Sequence, residues 1–246
     1  MSMKSLIVGL LAASIACDPG QNMNKGDAEP VAGRQARAES PNVSAAPTMS
    51  AVPQKVTVLF FGTSLTAGYG LDPSIAFPNL VARMAADAGT PIVAINAGLS
   101  GETSAGAVRR IDWALKRPVD VVVVETGGND ALRALDPDSL KANIQQIVRR
   151  VRVAQPKARV LLAVMEAPPN LGVQYTKRFR NAYSEVAAEE RVTLVPFLLD
   201  KVAGFSSLNQ ADGVHPNERG ERVVAANVWR ALEPVVRDVY SARGKG

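Results

Sequence analysis

The chain has 246 residues, 47% of them hydrophobic and 21% charged, an ordinary globular composition that allows one domain comfortably or two small ones. Its net charge of +5 comes from scattered Lys and Arg with no basic stripe interleaved with aromatics, so a nucleic-acid partner is not expected. A single cysteine, Cys17, excludes an internal disulfide.

Lys4 precedes an apolar stretch, Leu6 to Ala13, that is far too short to span a bilayer. Small residues follow, and Ser14-Ile15-Ala16-Cys17 resembles the lipobox of bacterial lipoproteins, with Ser14 standing where Leu is usual. In such proteins the signal is cleaved before the cysteine, which is then acylated. The expected division is a signal peptide over residues 1–16, a lipidated Cys17 with a tether to residue 54, and a folded domain over 55–246. An ordinary signal peptide cut near Ala16 is the alternative. Residues 18–54 are Ala, Pro, Ser, Asn, Gly and charge without apolar period, too little apolar surface to offset chain entropy. Together these features predict an exported, cell-envelope or periplasmic protein attached to a membrane through a lipid anchor.

From residue 55 strands and helices alternate. The run over 56–61 is apolar on both faces, as in a strand buried in a parallel sheet, and Gly62 ends it. Helical spacing follows over 77–88, closed by Gly89, and then a short strand over 92–96. A helix is predicted over 103–116 and a strand over 119–125, where four consecutive valines need cover on both sides. Then come a helix over 139–154, a strand over 159–166, a helix over 175–190, a strand over 192–196 and a last helix over 218–240. Such alternation implies a parallel sheet with helices on both faces.

Polar or glycine-rich stretches follow the strand ends: Gly62-Thr63-Ser64-Leu65, the segment 96–103, Glu125 to Asp130, and Asp212-Gly213-Val214-His215 before the last helix. All fall at one edge of a parallel sheet, where ligands bind. A serine hydroxyl there can be a helix N-cap. It can also be a nucleophile if a base is near, and His215 is the only histidine in the chain. Asp212, three residues earlier, can hold one imidazole tautomer and stabilise the imidazolium. Glycine N–H groups and an Asn amide are suitable donors for the oxyanion of acyl transfer. Asp130 is read as a cap for the turn after Asn129. Glu102 and Glu125 are read as local hydrogen-bonding residues, and Glu166 as buried polarity at a strand end. No His/Cys cluster suggests a transition metal, and the Gly-x-Gly-x-x-Gly spacing is absent, so no cofactor is expected.

These four blocks, in this order, resemble the GDSL or SGNH hydrolases, nearest in pattern to the bacterial esterase–thioesterase–lysophospholipase and arylesterase group. The likeness covers residues 56 to about 234. It implies a flavodoxin-like three-layer α/β/α sandwich with a five-stranded parallel sheet, which agrees with the strand count above. It further implies Ser64 as nucleophile, Asp212 and His215 as its partners, and an oxyanion hole from Ser64, Gly101 and Asn129, with Gly98 a weaker candidate than Gly101. Thr63 stands where the family has aspartate. The expected substrate is a small-molecule or lipid ester, and no obligate protein partner is expected. Leu65, Tyr69, Leu71, Phe77 and the segment 132–135 give the loops an apolar character suited to medium acyl or aryl groups. A carbohydrate or cell-wall O-acetylesterase and a non-catalytic lipid-binding lipoprotein are the alternatives.

Overall fold

The computed structural model describes residues 55–243. The signal peptide, Cys17 and the tether expected at the N-terminus lie outside the described residues. Within them, five strands form one parallel sheet: β1 (Val56–Gly62), β2 (Ile92–Gly98), β3 (Val121–Glu125), β4 (Arg159–Ala163) and β5 (Thr193–Val195), in the order β2-β1-β3-β4-β5. Helices cover both faces, as the alternation of elements requires. On one side α2 (Phe77–Asp87) packs against α7 (Glu218–Arg243). On the other α3 (Ser104–Ala114), α5 (Pro137–Ala154) and α6 (Val173–Glu190) lie side by side.

The predicted strands and long helices are all present, with ends shifted by a few residues. The strand over 159–166 stops at Ala163, and Glu166 is exposed and paired with Arg180 at 2.9 Å, not buried. The helix predicted from Ser139 begins at Pro137, because the Asp136 side chain accepts the Ser139 N–H and caps the preceding turn. Two short helices were not predicted: α1 (Ser64–Ala67) and α4 (Gly128–Leu132). Four or five residues contain too little of a helical period to be visible in a sequence.

The core follows from the strand composition. All four valines of β3 are buried, as is nearly all of β1, so the central strands are apolar on both faces. Phe77 opens α2 and meets Phe60 of β1 edge-on, with ring centroids 5.8 Å apart. Chain direction across the sheet reverses at β1, with β2 on one side and β3 on the other. In this strand order the crevice outside the carboxyl ends of β1 and β3 is the place for a ligand. Among the described residues no helix is long and apolar enough to cross a membrane.

Candidate active site

Ser64 stands at the start of α1, directly after β1, and is 9% exposed. The N-cap of α1 is Thr63, so Ser64 does not cap that helix. Its hydroxyl instead lies 2.9 Å from Nε2 of His215, 151 residues away in sequence. Nδ1 of the same ring lies 2.6 Å from Oδ2 of Asp212. Oδ1 of Asp212 accepts the backbone N–H of His215 at 3.0 Å and that of Val214 at 2.9 Å. The His215 backbone N–H, then the imidazole and the Val214 N–H, pull the Asp212 carboxyl down to about 2. Asp212 is therefore a carboxylate at any ordinary pH and holds the proton on Nδ1. That leaves Nε2 free to face Ser64 as an acceptor.

The histidine loop is held from both sides. Tyr69 lies against the His215 ring with centroids 4.6 Å apart. The Gln210 side chain donates to the carbonyls of Tyr69 (2.7 Å) and Pro216 (3.0 Å), while its backbone N–H donates to the His215 carbonyl. Gln210 thus ties the segment after α1 to the loop that carries His215. Nothing in its sequence position announces this, because the two segments are 141 residues apart.

Beneath the nucleophile turn is Glu125, at the end of β3 and fully buried. It accepts the Thr63 N–H at 2.7 Å, the Thr63 hydroxyl at 3.0 Å and the Thr66 hydroxyl at 2.9 Å. Burial pushes the Glu125 carboxyl up, against the lowering effect of these hydrogen bonds. The network explains why a threonine serves at position 63. Its hydroxyl donates to Glu125, whereas an aspartate would set a second carboxyl against it and raise one of the two.

The second and third blocks converge on the same cavity. Gly101 adopts φ +77°, a left-handed conformation that favours glycine, and lies on the exposed rim. Gly98 serves a different purpose. A Cβ there would come 2.2 Å from the Ala67 backbone nitrogen, so glycine permits close approach of β2 to α1. Asn129 donates one amide N–H to the Glu102 carbonyl at 3.1 Å, which leaves its second amide hydrogen for another acceptor. Asp130 does not cap its own turn. Its carboxylate accepts the N–H (2.8 Å) and hydroxyl of Ser104, fixing the Asn129 turn to the start of α3 just beyond Gly101. Glu102 pairs with Arg110 through both carboxylate oxygens.

Ser64, His215, Gly101 and Asn129 all line one cavity of about 640 Å³, a size suited to a small organic ligand. Its apolar wall differs in part from expectation. Leu65, Tyr69 and Leu132 contribute, but Phe77 belongs to the core and Leu71 and Leu135 do not line the cavity. Met165, Pro168, Phe197 and Leu199, from the loops after β4 and β5, complete it. Among the described residues no group of His, Cys, Asp and Glu could hold a metal ion.

Comparison with known proteins assigns the chain to a family. Residues 60–223 match the model of the GDSL-like lipase/acylhydrolase family. The chain belongs to that family. It is 38% identical over 182 residues to Esterase TesA of Pseudomonas aeruginosa, a match covering 73% of this chain and 89% of that protein. The Escherichia coli protein named Thioesterase 1/protease 1/lysophospholipase L1 is 35% identical over 181 residues, covering 73% and 85% respectively. The crystal structure of TesA superposes with a TM-score of 0.69 over 72% of this chain and 98% of that one. The psychrotrophic esterase EstA from Pseudoalteromonas, inhibited by monoethylphosphonate, has the same TM-score at 30% identity, covering 74% and 98%. As a GDSL-like acylhydrolase with these relatives, the protein is an ester hydrolase.

Proposed function

We propose that the protein is a serine esterase that cleaves acyl and aryl esters, and thioesters or lysophospholipids of similar acyl length, through an acyl-enzyme on Ser64. The observation that carries this reading is the continuous contact Ser64–His215–Asp212 opening onto a cavity with largely apolar walls. Ser64 Oγ attacks the acyl carbonyl as its proton passes to Nε2 of His215. The negative charge that develops on the carbonyl oxygen is met by the N–H groups of Ser64 and Gly101 and the free amide hydrogen of Asn129. The imidazolium, stabilised by Asp212, then gives its proton to the departing alcohol, phenol or thiol. Water repeats the sequence on the acyl-enzyme, releasing the acid and restoring Ser64.

The relatives' names, which include esterase, thioesterase and lysophospholipase, support a substrate of this kind. The volume and apolar wall favour acyl chains longer than acetyl, and so weigh against a sugar O-acetylesterase. A fluorophosphonate probe is expected to label Ser64 stoichiometrically. On p-nitrophenyl esters, kcat/KM should rise from acetyl to medium chains. Absence of labelling with correctly folded protein would favour a lipid-binding lipoprotein, and a preference for acetyl would favour the O-acetylesterase.

The same proposal covers placement in the cell. The lipobox-like Ser14-Ile15-Ala16-Cys17 supports export with lipidation of Cys17. About 37 residues of the sequence separate it from the folded domain. Cys17→Ser in the producing bacterium is expected to release the protein from the membrane fraction with esterase activity intact. Mass spectrometry showing an unmodified mature N-terminus would overturn the anchor alone.

A further inference from the structure

The nucleophile and the base are joined a second time, away from their reacting atoms. The Ser64 carbonyl accepts the Tyr69 N–H at 3.0 Å, and the Tyr69 carbonyl accepts the Gln210 side-chain amide at 2.7 Å. The Gln210 backbone N–H then donates to the His215 carbonyl at 2.8 Å. This route leads from the Ser64 backbone to the His215 backbone without passing through Oγ of one or Nε2 of the other. Among the described residues, apart from the Ser64–His215 contact itself, no other hydrogen bond joins residues 63–72 to the loop over 206–217.

Both ends of this bracket are held firmly, and its middle is one side chain. On the histidine side, the amides of Asn209 and Asn217 donate to backbone carbonyls within residues 202–209. The Gln210 carbonyl accepts the Gly213 N–H at 3.0 Å, which closes the turn that carries Asp212. On the serine side, Gly68 (φ +71°) and Gly70 (φ +76°) take left-handed conformations on either side of Tyr69. Gly70 also leaves room for the Gln210 amide, since a Cβ there would come 2.6 Å from its Oε1. With the Tyr69 and Pro216 carbonyls at 2.7 Å and 3.0 Å, both amide hydrogens of Gln210 are used. The exposed Tyr69 ring lies against the imidazole, so its position depends on the backbone that Gln210 holds.

We propose that Gln210 is a positioning residue that keeps His215 in place through the acyl-enzyme stage, and so governs deacylation more than acylation. The inference rests on the esterase reading above and adds to it a residue that does not line the cavity. Before reaction, the 2.9 Å contact between Ser64 Oγ and His215 Nε2 itself holds the two loops together. In the acyl-enzyme Oγ is an ester oxygen that has lost its proton and accepts poorly. The direct contact therefore lapses just when the imidazole must take a proton from the attacking water. None of the atoms in the Gln210 bracket reacts, so the bracket persists. A misplacement of about 1 Å can cost a reaction 10²-fold.

Stopped-flow hydrolysis of p-nitrophenyl butyrate at pH 8 by the purified full chain separates the two steps, the burst reporting acylation and the steady state deacylation. Gln210→Met removes both donors at nearly constant volume. It is expected to slow deacylation about 10- to 100-fold and acylation at least fivefold less. A burst approaching one p-nitrophenol per enzyme should then appear, KM should fall together with kcat, and mass spectrometry of the quenched reaction should find Ser64 acylated. Gln210→Glu, of the same length and without a donor when ionised, should show the same burst and serves if the methionine variant does not fold. Equal loss in both steps, or unchanged kcat in a variant with the wild-type melt, would overturn the assignment. So would unchanged rates with a reduced burst amplitude, which would mean only that fewer molecules fold. A wild-type protein that neither releases p-nitrophenol nor takes up a fluorophosphonate would instead count against the esterase reading itself.

Discussion

Ser64→Ala and His215→Ala are each expected to lower kcat for a p-nitrophenyl ester by about 10⁴- to 10⁶-fold, and the double variant should be scarcely worse than either. The non-additivity is the sharper part of the expectation. Nε2 of His215 has one role, taking the proton of Ser64 Oγ 2.9 Å away, and without either atom the other does nothing. Stability should hardly change. Among the described residues the Ser64 hydroxyl has no hydrogen-bond partner except His215, and its loss removes one hydrogen bond of about 1 kcal/mol net. Thermal melts beside single-turnover kinetics separate the two effects. A folded variant retaining a tenth of wild-type kcat, or losses that multiply in the double variant, would remove the residue from the proposed mechanism. Asp212→Asn should cost less, about 10²–10⁴-fold, by favouring the tautomer with its proton on Nε2. Its Oδ1 can still accept the Val214 and His215 N–H groups, so the loop should keep its shape.

What the sequence made legible follows from the range of the forces involved. The valines of β3 need cover on both faces wherever they sit, so the central strands and the layered fold could be read from composition and period. Ser64, Asp212 and His215 could be singled out because His215 is the chain's one histidine, Asp212 stands three residues before it, and the sheet-edge blocks that carry all three resemble those of the GDSL hydrolases. Their supports could not. Glu125 reaches Thr63 across 62 residues, and Gln210 reaches Tyr69 across 141, with no local pattern marking either contact. Asp130 looked like a turn cap because such residues usually bond locally. Its actual donor is Ser104, which only the packing of α3 beside the Asn129 turn brings near. The cavity wall was half legible for a related reason: Leu65 and Tyr69 follow the nucleophile in sequence, while Phe197 and Leu199 arrive from a distant loop.

The second large effect should appear in stability against pH. Glu221 of α7 is 1% exposed and accepts the Phe77 N–H at 2.7 Å, tying the start of α2 to α7. Burial pushes its carboxyl up to about 8, the Phe77 N–H opposes this, and the charge of Glu125 adds to the rise. In the unfolded chain the group returns to its ordinary value of 4.5. Between pH 4.5 and 8 the folded state therefore holds a proton that the unfolded state has lost, and stability falls as pH rises. The full difference corresponds to about 5 kcal/mol as an upper limit, with Glu125 acting in the same direction. Asp212 has the opposite sign, but its window lies between 3.8 and about 2, below this range. Urea unfolding at pH 5, 6.5 and 8 should thus show the protein most stable at pH 5 and weakest at pH 8. Glu221→Gln keeps an acceptor for the Phe77 N–H and removes the charge, so its profile should flatten and cross above wild type near pH 8. A wild-type profile level from pH 5 to 8, or one equally steep in Glu221→Gln, would show that Glu221 enters the fold already ionised.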